Sequence, residues 1–418
     1  MSAPAPALLE GAAWLREGAL ARLLDVLGRD GEEVRVVGGA VRNALLGEPI
    51  GDIDIATTAV PPEVIRRAKD AGFKPVPTGI EHGTVTVVIG GRPFEVTTLR
   101  EDIETFGRHA SVRFGRDWRK DAARRDFTIN ALSATADGVV HDYVGGLDDL
   151  AVRRVRFIGD AARRIDEDYL RILRFFRFHA AYGDGLPDAR GLAACIAARA
   201  GLEQLSRERV RMELIKLLIA RHATPVLAVM AESGLLVPVL GGVPYLAAFE
   251  NMAKVEVAVG VAADPVQRLG ALAVRVAEDA QRLGQRLRLS HAEQARLASM
   301  ADGWWRIAPA DEHGARALLY HLGGAGFVDR VLLAWARAWP QGAADEAWRT
   351  LAALPERWIV PVFPLRAADF IRRGIPAGPR LGAALREAET AWIAADFPSD
   401  ADTIERIAAD AVAAAGPM

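Results

Sequence analysis

Over roughly the first 150 residues, apolar and polar positions alternate in short runs. "EVRVVGG" (33–39), "DIDIATT" (52–58), "GTVTVVIG" (83–90) and "PFEVTTLR" (93–100) carry β-branched residues at a period of two. That period predicts half-buried strands. Between them lie helical stretches such as "AVRNALLG", which ends on Gly47. Beyond residue 150 the period-two signal nearly vanishes. Ala, Leu and Arg dominate at helical spacing, broken at "AYGDGLPDARG", "LVPVLGGVPY" and "WIVPVFPL". The pattern predicts an α+β chain: a small mixed-sheet head over 1–150, a helical neck over 151–225, and a helical body and tail over 226–418.

Composition narrows this picture only a little. The chain has 418 residues, 51% hydrophobic and 25% charged, which suits a globular protein with a large core. The one cysteine, Cys195, excludes an internal disulfide framework and suits a reducing compartment. No apolar run reads as a membrane span and no secretory pattern opens the chain, so the expectation is a cytoplasmic protein with no membrane partner. A net charge of −2 argues against a polybasic binder but leaves room for a local basic patch.

The chemistry concentrates in "VVGGAVRNALLGEPIGDIDIAT" (36–57). Gly38 and Gly39 stand between a predicted strand and a predicted helix, where backbone amides can approach a phosphate. Arg42 lies on the first helical turn and can reach the same phosphate. Alternation along a strand puts Asp52 and Asp54 on one face, with Ile53 and Ile55 on the other, buried one. Two carboxylates so close call for compensation, and oxygen-only ligands suit Mg²⁺. Glu95, in the middle of "RPFEVTTLR", joins them if its strand pairs alongside. The three then suit a two-metal phosphoryl-transfer site.

These residues resemble the signature of the nucleotidyltransferase superfamily, specifically the bacterial tRNA CCA-adding enzymes and poly(A) polymerases. The family pattern reads Gly-Gly-x-Val-Arg-Asp, then Asp-x-Asp; here Asn43 stands at the Asp position. "RRDFTINAL" (124–132) is similar to the second signature. The resemblance implies charge from Arg124 and Arg125 for triphosphate or ribose, and a sugar hydrogen bond from Asn130. "DYVGGLDDL" (142–150) resembles the flexible joint between head and neck, with Gly145 and Gly146 absorbing rotation.

"EDYLRILRFFRF" (167–178) is expected as one helix. Asp168, Arg171, Arg174 and Arg177 recur at every third residue along a polar ridge flanked by Leu170, Leu173 and Phe176 on one side and Ile172, Phe175 and Phe178 on the other. Cytosine and adenine each present an amino donor beside a ring-nitrogen acceptor. An Asp can accept from the first and an Arg can donate to the second. Uracil and guanine reverse that pattern and leave both side chains unpaired, at about 1–3 kcal/mol per group. The resemblance assigns this base-selecting role to Glu167, Asp168 and Arg171, with Arg174 and Arg177 beside the base or the phosphates. "SRERVRMELIKLL" (206–218) is expected to support this helix rather than take part in chemistry.

"RRGIPAGPRLGAALREAETAWIAADFP" (372–398) resembles the tail of CCA-adding enzymes, and Arg372, Arg373 and Arg380 are its candidate tRNA contacts. Trp304, Trp305, Trp335 and Trp339 are expected in the core. The absence of a basic, Arg-Phe-rich segment after Asp-x-Asp and the acidic C-terminal end favour CCA addition over poly(A) synthesis. "EDIETFGRHASVRFGRD" (101–117) resembles the flexible loop for the final A. That favours a full CCA-adding enzyme over CC-only or A-only types. His141 with Asp142, and His291 with Asp302, do not make the ligand set of an added phosphohydrolase. A rival from another class is a non-catalytic RNA-binding module on the same scaffold. The expected activity is addition of CCA to the 3′ end of tRNA from CTP and ATP, with Mg²⁺, releasing pyrophosphate.

Overall fold

The computed structural model describes residues 7–9, 12–106, 109–338 and 345–415. The chain forms two compact units. One runs to Pro244 and takes in Gln285–Arg288; the other comprises Tyr245–Gly284 and the chain from Leu289 onward.

In the first unit the described strands are β1 (Val34–Val37), β2 (Asp54–Thr57), β3 (Lys74–Gly79), β4 (Thr84–Ile89), β5 (Arg92–Thr98), β6 (Arg100–Phe106), β7 (His109–Phe114), β8 (Ser133–Ala134) and β9 (Val140–His141). Seven of them make one mixed sheet in the order β3-β4-β5-β2-β1-β8-β9. All four strands expected from period-two alternation are present. In β4 the alternation buries Val85, Val87 and Ile89 while Thr84, Thr86 and Val88 stay partly accessible. The only parallel pair in the sheet is β2 with β5, and its register sets Asp54 opposite Glu95. Segment 101–117, expected as a loop, contains β6 and β7, which pair with each other as a separate hairpin. His109 belongs to this hairpin, whose side chains through residue 112 lie outside the described ones.

After β9 the first unit is helical. The expected single helix over 167–178 is two elements: α2 (Ala161–Glu167) and α3 (Leu170–Tyr182), following α1 (Gly39–Leu46). The chain turns at Asp168, whose backbone is extended (φ −160°, ψ 105°). Its carboxylate accepts from the Leu170 amide at 3.1 Å. A short carboxylate that captures a backbone amide in this way competes with helix continuation. Asp168 therefore stands at the foot of α3 rather than on its ridge. The apolar flanks of α3 are buried as expected: Leu170, Ile172, Leu173, Phe175, Phe176 and Phe178 all lie in the core. Phe127 of the second signature meets Phe157 at 4.9 Å and Phe178 at 5.4 Å, and Phe157 stacks on Phe175 at 5.3 Å. This cluster fixes α3 against the sheet-bearing part of the unit.

The joint glycines have distinct reasons to be glycine. Gly145 has φ +81°, a left-handed conformation. Gly146 is approached by backbone: a Cβ there would stand 2.3 Å from the Thr128 carbonyl oxygen. Close packing, rather than free rotation, is what Gly146 provides. Gly146→Ala is expected to cost about 1–3 kcal/mol of stability or more, because the clashing atom belongs to backbone. Thermal unfolding of the variant would measure it.

Among its described residues the second unit carries helices and loops but no strand. Its elements include α4 (Pro265–Ala273), α5 (Glu312–Ala338), α6 (Pro379–Ala394) and α7 (Ala401–Ala414). α5 spans 27 residues and is apolar enough in composition to cross a bilayer, contrary to the expectation from sequence. It is broken at Gly323 (φ 68°), and its second half carries buried Phe327, Val331, Leu332, Leu333 and Trp335. Those features belong to a core helix. The tail has its own core of Phe370, Ile375, Ala384, Ala388, Trp392 and Ile407. Of the four tryptophans expected in the core, Trp335 is buried, Trp304 is half-buried, and Trp305 is 55% exposed. Trp339 lies outside the described residues.

Candidate active site

Burial along the start of β2 follows the expected alternation. Asp52 and Asp54 are exposed, while Ile53 and Ile55 are buried. Glu95 is exposed too and is the direct register partner of Asp54. Side chains of paired residues point to the same face of a sheet, so Asp54 and Glu95 share one, while Asp52 lies two residues before β2 begins. Partial desolvation, the facing Glu95 and nearby Asp52 push the Asp54 pKa up, against the pull of Arg125. Among the described residues no three Asp, Glu, His or Cys side chains converge into a ready metal cluster. Even so, the donor chemistry fits a divalent cation: oxygen-only ligands whose mutual repulsion is registered in Asp54 and would be relieved by positive charge.

Beside Asp54 opens a cavity of about 550 Å³, walled by Gly38, Gly39 and Arg42 on one side and by Asp168 and α3 on the other. Gly38 adopts φ 71°, ψ −122°, a conformation open to glycine, and so turns β1 into α1. Six arginines line the cavity (Arg42, Arg125, Arg171, Arg174, Arg177, Arg209) against three aspartates (Asp54, Asp126, Asp168). That excess of positive charge suits a polyphosphate.

The arginines differ in how they are compensated. Arg42 is 5% exposed and donates to Asn43 Oδ1 from Nε at 3.1 Å and from Nη2 at 2.8 Å, to Tyr182 Oη at 2.7 Å, and to Asn130 Oδ1. Each of these partners is neutral. Burial therefore lowers the Arg42 pKa, with Tyr182 opposing. Asn43, the departure from the family pattern, keeps the acceptor role and also donates from Nδ2 to the Pro49 carbonyl at 2.8 Å, which an aspartate could not do. Arg125 is tied to Asp121 at 3.1 Å. Burial raises the Asp121 pKa, but Arg125 and Arg124 outweigh it and leave the carboxyl low. Arg174 grips Asp126 through Nε at 2.8 Å and through Nη2, and Arg177 pairs with Glu213. Asn130 bridges Arg42 and Asp126 (Nδ2 to Oδ1, 3.3 Å), so its amide is engaged with protein groups.

The Asp168 and Arg171 side chains face the same cavity but do not bond each other; the residues are joined only through the Arg171 amide, which donates to the Asp168 carbonyl at 3.0 Å. Asp168 takes a two-pronged contact from Arg209, Nη1 to Oδ1 at 3.1 Å and Nη2 to Oδ2 at 2.6 Å. Oδ1 is filled by Arg209 and the Leu170 amide, which leaves one lone pair on Oδ2 for a further donor. Arg171 donates from Nη1 to Glu167 Oε2 and to the Arg164 carbonyl, both at 2.6 Å. Its Nη2 and Nε remain for another acceptor. Arg209 was expected only in a supporting helix (Arg207–Leu218), and Asp126 and Tyr182 were not singled out at all. Arg209 approaches Asp168 across 41 residues of chain, and Tyr182 approaches Arg42 across 140. The available signal was modest: Tyr182 continues the helix that carries the ridge, and Asp126 follows the Arg pair. Arg209→Ala is expected to leave Asp168 misoriented and to lower selection of CTP over UTP by roughly tenfold. Competition of the two nucleotides in single-turnover incorporation measures it.

In the tail, Arg372 pairs with Asp369, Arg373 with Glu405, and Arg380 donates to the Ala415 carbonyl at 2.9 Å. α6 begins at Pro379, directly after Gly378.

A glycine turn, a carboxylate face and an arginine-lined cavity on a mixed sheet define a nucleotidyltransferase head. The family profile described as "Poly A polymerase head domain" matches residues 34–156, and "Probable RNA and SrmB- binding site of polymerase A" matches 188–250. The CCA tRNA nucleotidyltransferase 1, mitochondrial, of Danio rerio is 35% identical over 382 residues, covering 89% of this chain and 86% of that one. A CCA-adding enzyme of Leuconostoc citreum is 43% identical over 217 residues, 51% of this chain and 52% of the relative. The crystal structure of the Bacillus stearothermophilus CCA-adding enzyme in complex with CTP aligns with a TM-score of 0.73 at 29% identity, covering 92% of this chain and 95% of that one. The chain belongs to the CCA-adding tRNA nucleotidyltransferase family.

Proposed function

We infer that the protein adds C, C and A to the 3′ end of tRNA from CTP and ATP, without a nucleic-acid template and with release of pyrophosphate. The observation that carries this reading is the meeting of the Asp54 face with a cavity that holds both Arg42 and the Asp168–Arg171 edge. The family uses a divalent metal, and we propose Mg²⁺ held by Asp52 and Asp54 with Glu95 alongside. When bound, the ion supplies positive charge that acidifies the attacking hydroxyl and neutralises the triphosphate.

The remaining work falls to the chain's own side chains. The tRNA 3′-hydroxyl oxygen attacks the α-phosphorus of the nucleotide, and the bond to the bridging oxygen of pyrophosphate breaks. Arg42, buried without a carboxylate partner, gives its charge to the triphosphate, and Gly38 and Gly39 let backbone approach it. Arg125 adds charge from the Asp121 side. Asp168 Oδ2 accepts from the exocyclic amino group of cytosine or adenine, and Arg171 donates to the ring nitrogen. Arg174, Arg177 and Asn130 hold the cavity wall in shape.

By this reading nucleotidyl transfer belongs to 1–150, base choice to 151–225 and tRNA holding to 226–418, with Arg372, Arg373 and Arg380 among the tail's contacts. It also places the enzyme in the cytoplasm, supported by the single, fully buried thiol of Cys195. Pyrophosphate release tests the whole reading. With tRNA lacking its terminus, CTP, ATP and Mg²⁺, three pyrophosphates per tRNA are expected, and chelation by EDTA should stop their release. No release with Mg²⁺ present would leave only an RNA-binding scaffold.

A further inference from the structure

Arg42 is a buried cation whose hydrogen-bond partners are all neutral, and the ring against it is Tyr182. The Arg42 guanidinium carbon lies 3.7 Å from the centre of that ring, so the planar cation rests on the ring face. Nη2 also donates to Tyr182 Oη at 2.7 Å. Among the described residues Oη has no other hydrogen-bond partner. Tyr182 is the last residue of α3 and follows Phe178 by one helical turn, so both rings rise from one face of the helix. They stack with centroids 6.0 Å apart. Phe178 in turn carries Arg177 at 4.0 Å and lies 5.4 Å from the Arg42 guanidinium carbon.

Two like charges therefore lie against one pair of rings. Burial and the Arg177 charge both work against the Arg42 cation, and Tyr182 works for it. Arg177 has Glu213 to compensate it. Arg42 has no such partner. The Asp126 charge favours it, but that carboxylate is gripped by Arg174. Asn43, standing where the family pattern has Asp, cannot supply the missing charge. A carboxylate would hold the guanidinium by taking up its charge. A ring face and a phenol oxygen hold it and leave that charge for an anion in the cavity, which both Arg42 and Tyr182 line. Nε and Nη2 are spent on Asn43 and Tyr182, and Asn130 accepts from Nη1. Nη1 keeps a second hydrogen to spare.

We propose that Tyr182 is a positioning residue for nucleotidyl transfer: its ring and hydroxyl hold the Arg42 guanidinium in place for the triphosphate of the bound nucleotide. This rests on the CTP and ATP reading above and adds to it the group that seats Arg42. Arg171, which reads the base, stands near the start of the same helix, and Tyr182 ends it. The two roles are therefore separable. Losing Tyr182 loosens the hold on the triphosphate and leaves base choice alone. A tyrosine that merely packed α3 in place would, when lost, move Arg171 as well and change base choice.

The experiment compares wild type, Tyr182→Phe, Tyr182→Leu, Arg42→Ala and Arg42→Ala/Tyr182→Leu in the full chain. It measures the Kd for CTP, inhibition by inorganic triphosphate, selection of CTP over UTP in extension of tRNA lacking CCA, and thermal unfolding. Tyr182→Leu is expected to weaken both CTP binding and triphosphate inhibition roughly tenfold or more. Tyr182→Phe keeps the ring and should weaken both several-fold. Selection of CTP over UTP should not change in either variant. In the Arg42→Ala background, Tyr182→Leu should add no further loss. An active wild type with unchanged CTP affinity in Tyr182→Leu would overturn the role of Tyr182 alone. A fall in CTP-over-UTP selection, or a full further loss in the Arg42→Ala background, would also overturn it, in favour of simple packing. Should the leucine variant unfold, the phenylalanine variant decides, because it removes a single oxygen: wild-type CTP affinity there would overturn the proposal. A wild type that neither binds CTP nor extends tRNA would overturn both this role and the CTP and ATP reading.

Discussion

Asp52→Ala and Asp54→Ala are each expected to abolish incorporation of both C and A, by roughly 10³-fold or more, while tRNA still binds. Removing either carboxylate takes away part of the oxygen set that holds the divalent charge, a contribution of several kcal/mol to the transition state. The two variants should differ in one respect. Asp54 carries the raised pKa and lines the nucleotide cavity, so its loss also relieves repulsion from Glu95 and Asp52. Asp54→Ala should therefore leave the head at least as stable as wild type. Single-turnover incorporation gives the activity, and thermal unfolding gives the stability. Activity above about a tenth of wild type in both variants would remove the carboxylate face from the mechanism.

Arg171→Ala is expected to change which nucleotide is used more than how fast it is used. In the structure Arg171 anchors through Nη1 to Glu167 and to the Arg164 carbonyl, and keeps Nη2 and Nε for the base. Without it, cytosine and adenine lose the donor to their ring nitrogen, and uracil and guanine lose the penalty of facing it. At about 1–3 kcal/mol for the unpaired group, selection of CTP and ATP over UTP and GTP should fall roughly tenfold or more. Competition among the four nucleotides for one primer reads this directly. An unchanged preference would move base choice away from α3.

The parts of the fold that were legible in sequence are those with a strong local period. β1, β2, β4 and β5 bury one face and expose the other, and alternation records that. β3 reads "KPVPTG": its prolines suit a sheet edge, which is where β3 lies, and they erase the strand signal. β8 and β9 have two residues each, too few to show any period. The candidate site was legible where its groups sit in one segment, as in Gly38, Gly39, Arg42 and Asp54, which the structure gathers at one cavity. Ridge spacing placed Arg171, Arg174 and Arg177 correctly on one helix. It could not place Asp168, because a carboxylate that captures a backbone amide breaks the very helix that the spacing implies. Arg209, Tyr182 and Asp126 enter through contacts between distant segments, which no local period carries. Trp305 was misplaced for a related reason: composition makes tryptophan a core residue by default, and only tertiary structure shows which ring of a Trp-Trp pair reaches solvent.

The central claim is that one arginine-lined cavity beside a carboxylate face joins cytidine and adenosine, in order, to tRNA. Sequencing the 3′ ends of tRNA lacking its terminus, after incubation with the protein, all four nucleoside triphosphates and Mg²⁺, tests it most directly. Ends that read CCA and stop there are predicted. Long A tracts, C alone, frequent U or G, or unextended ends would contradict it.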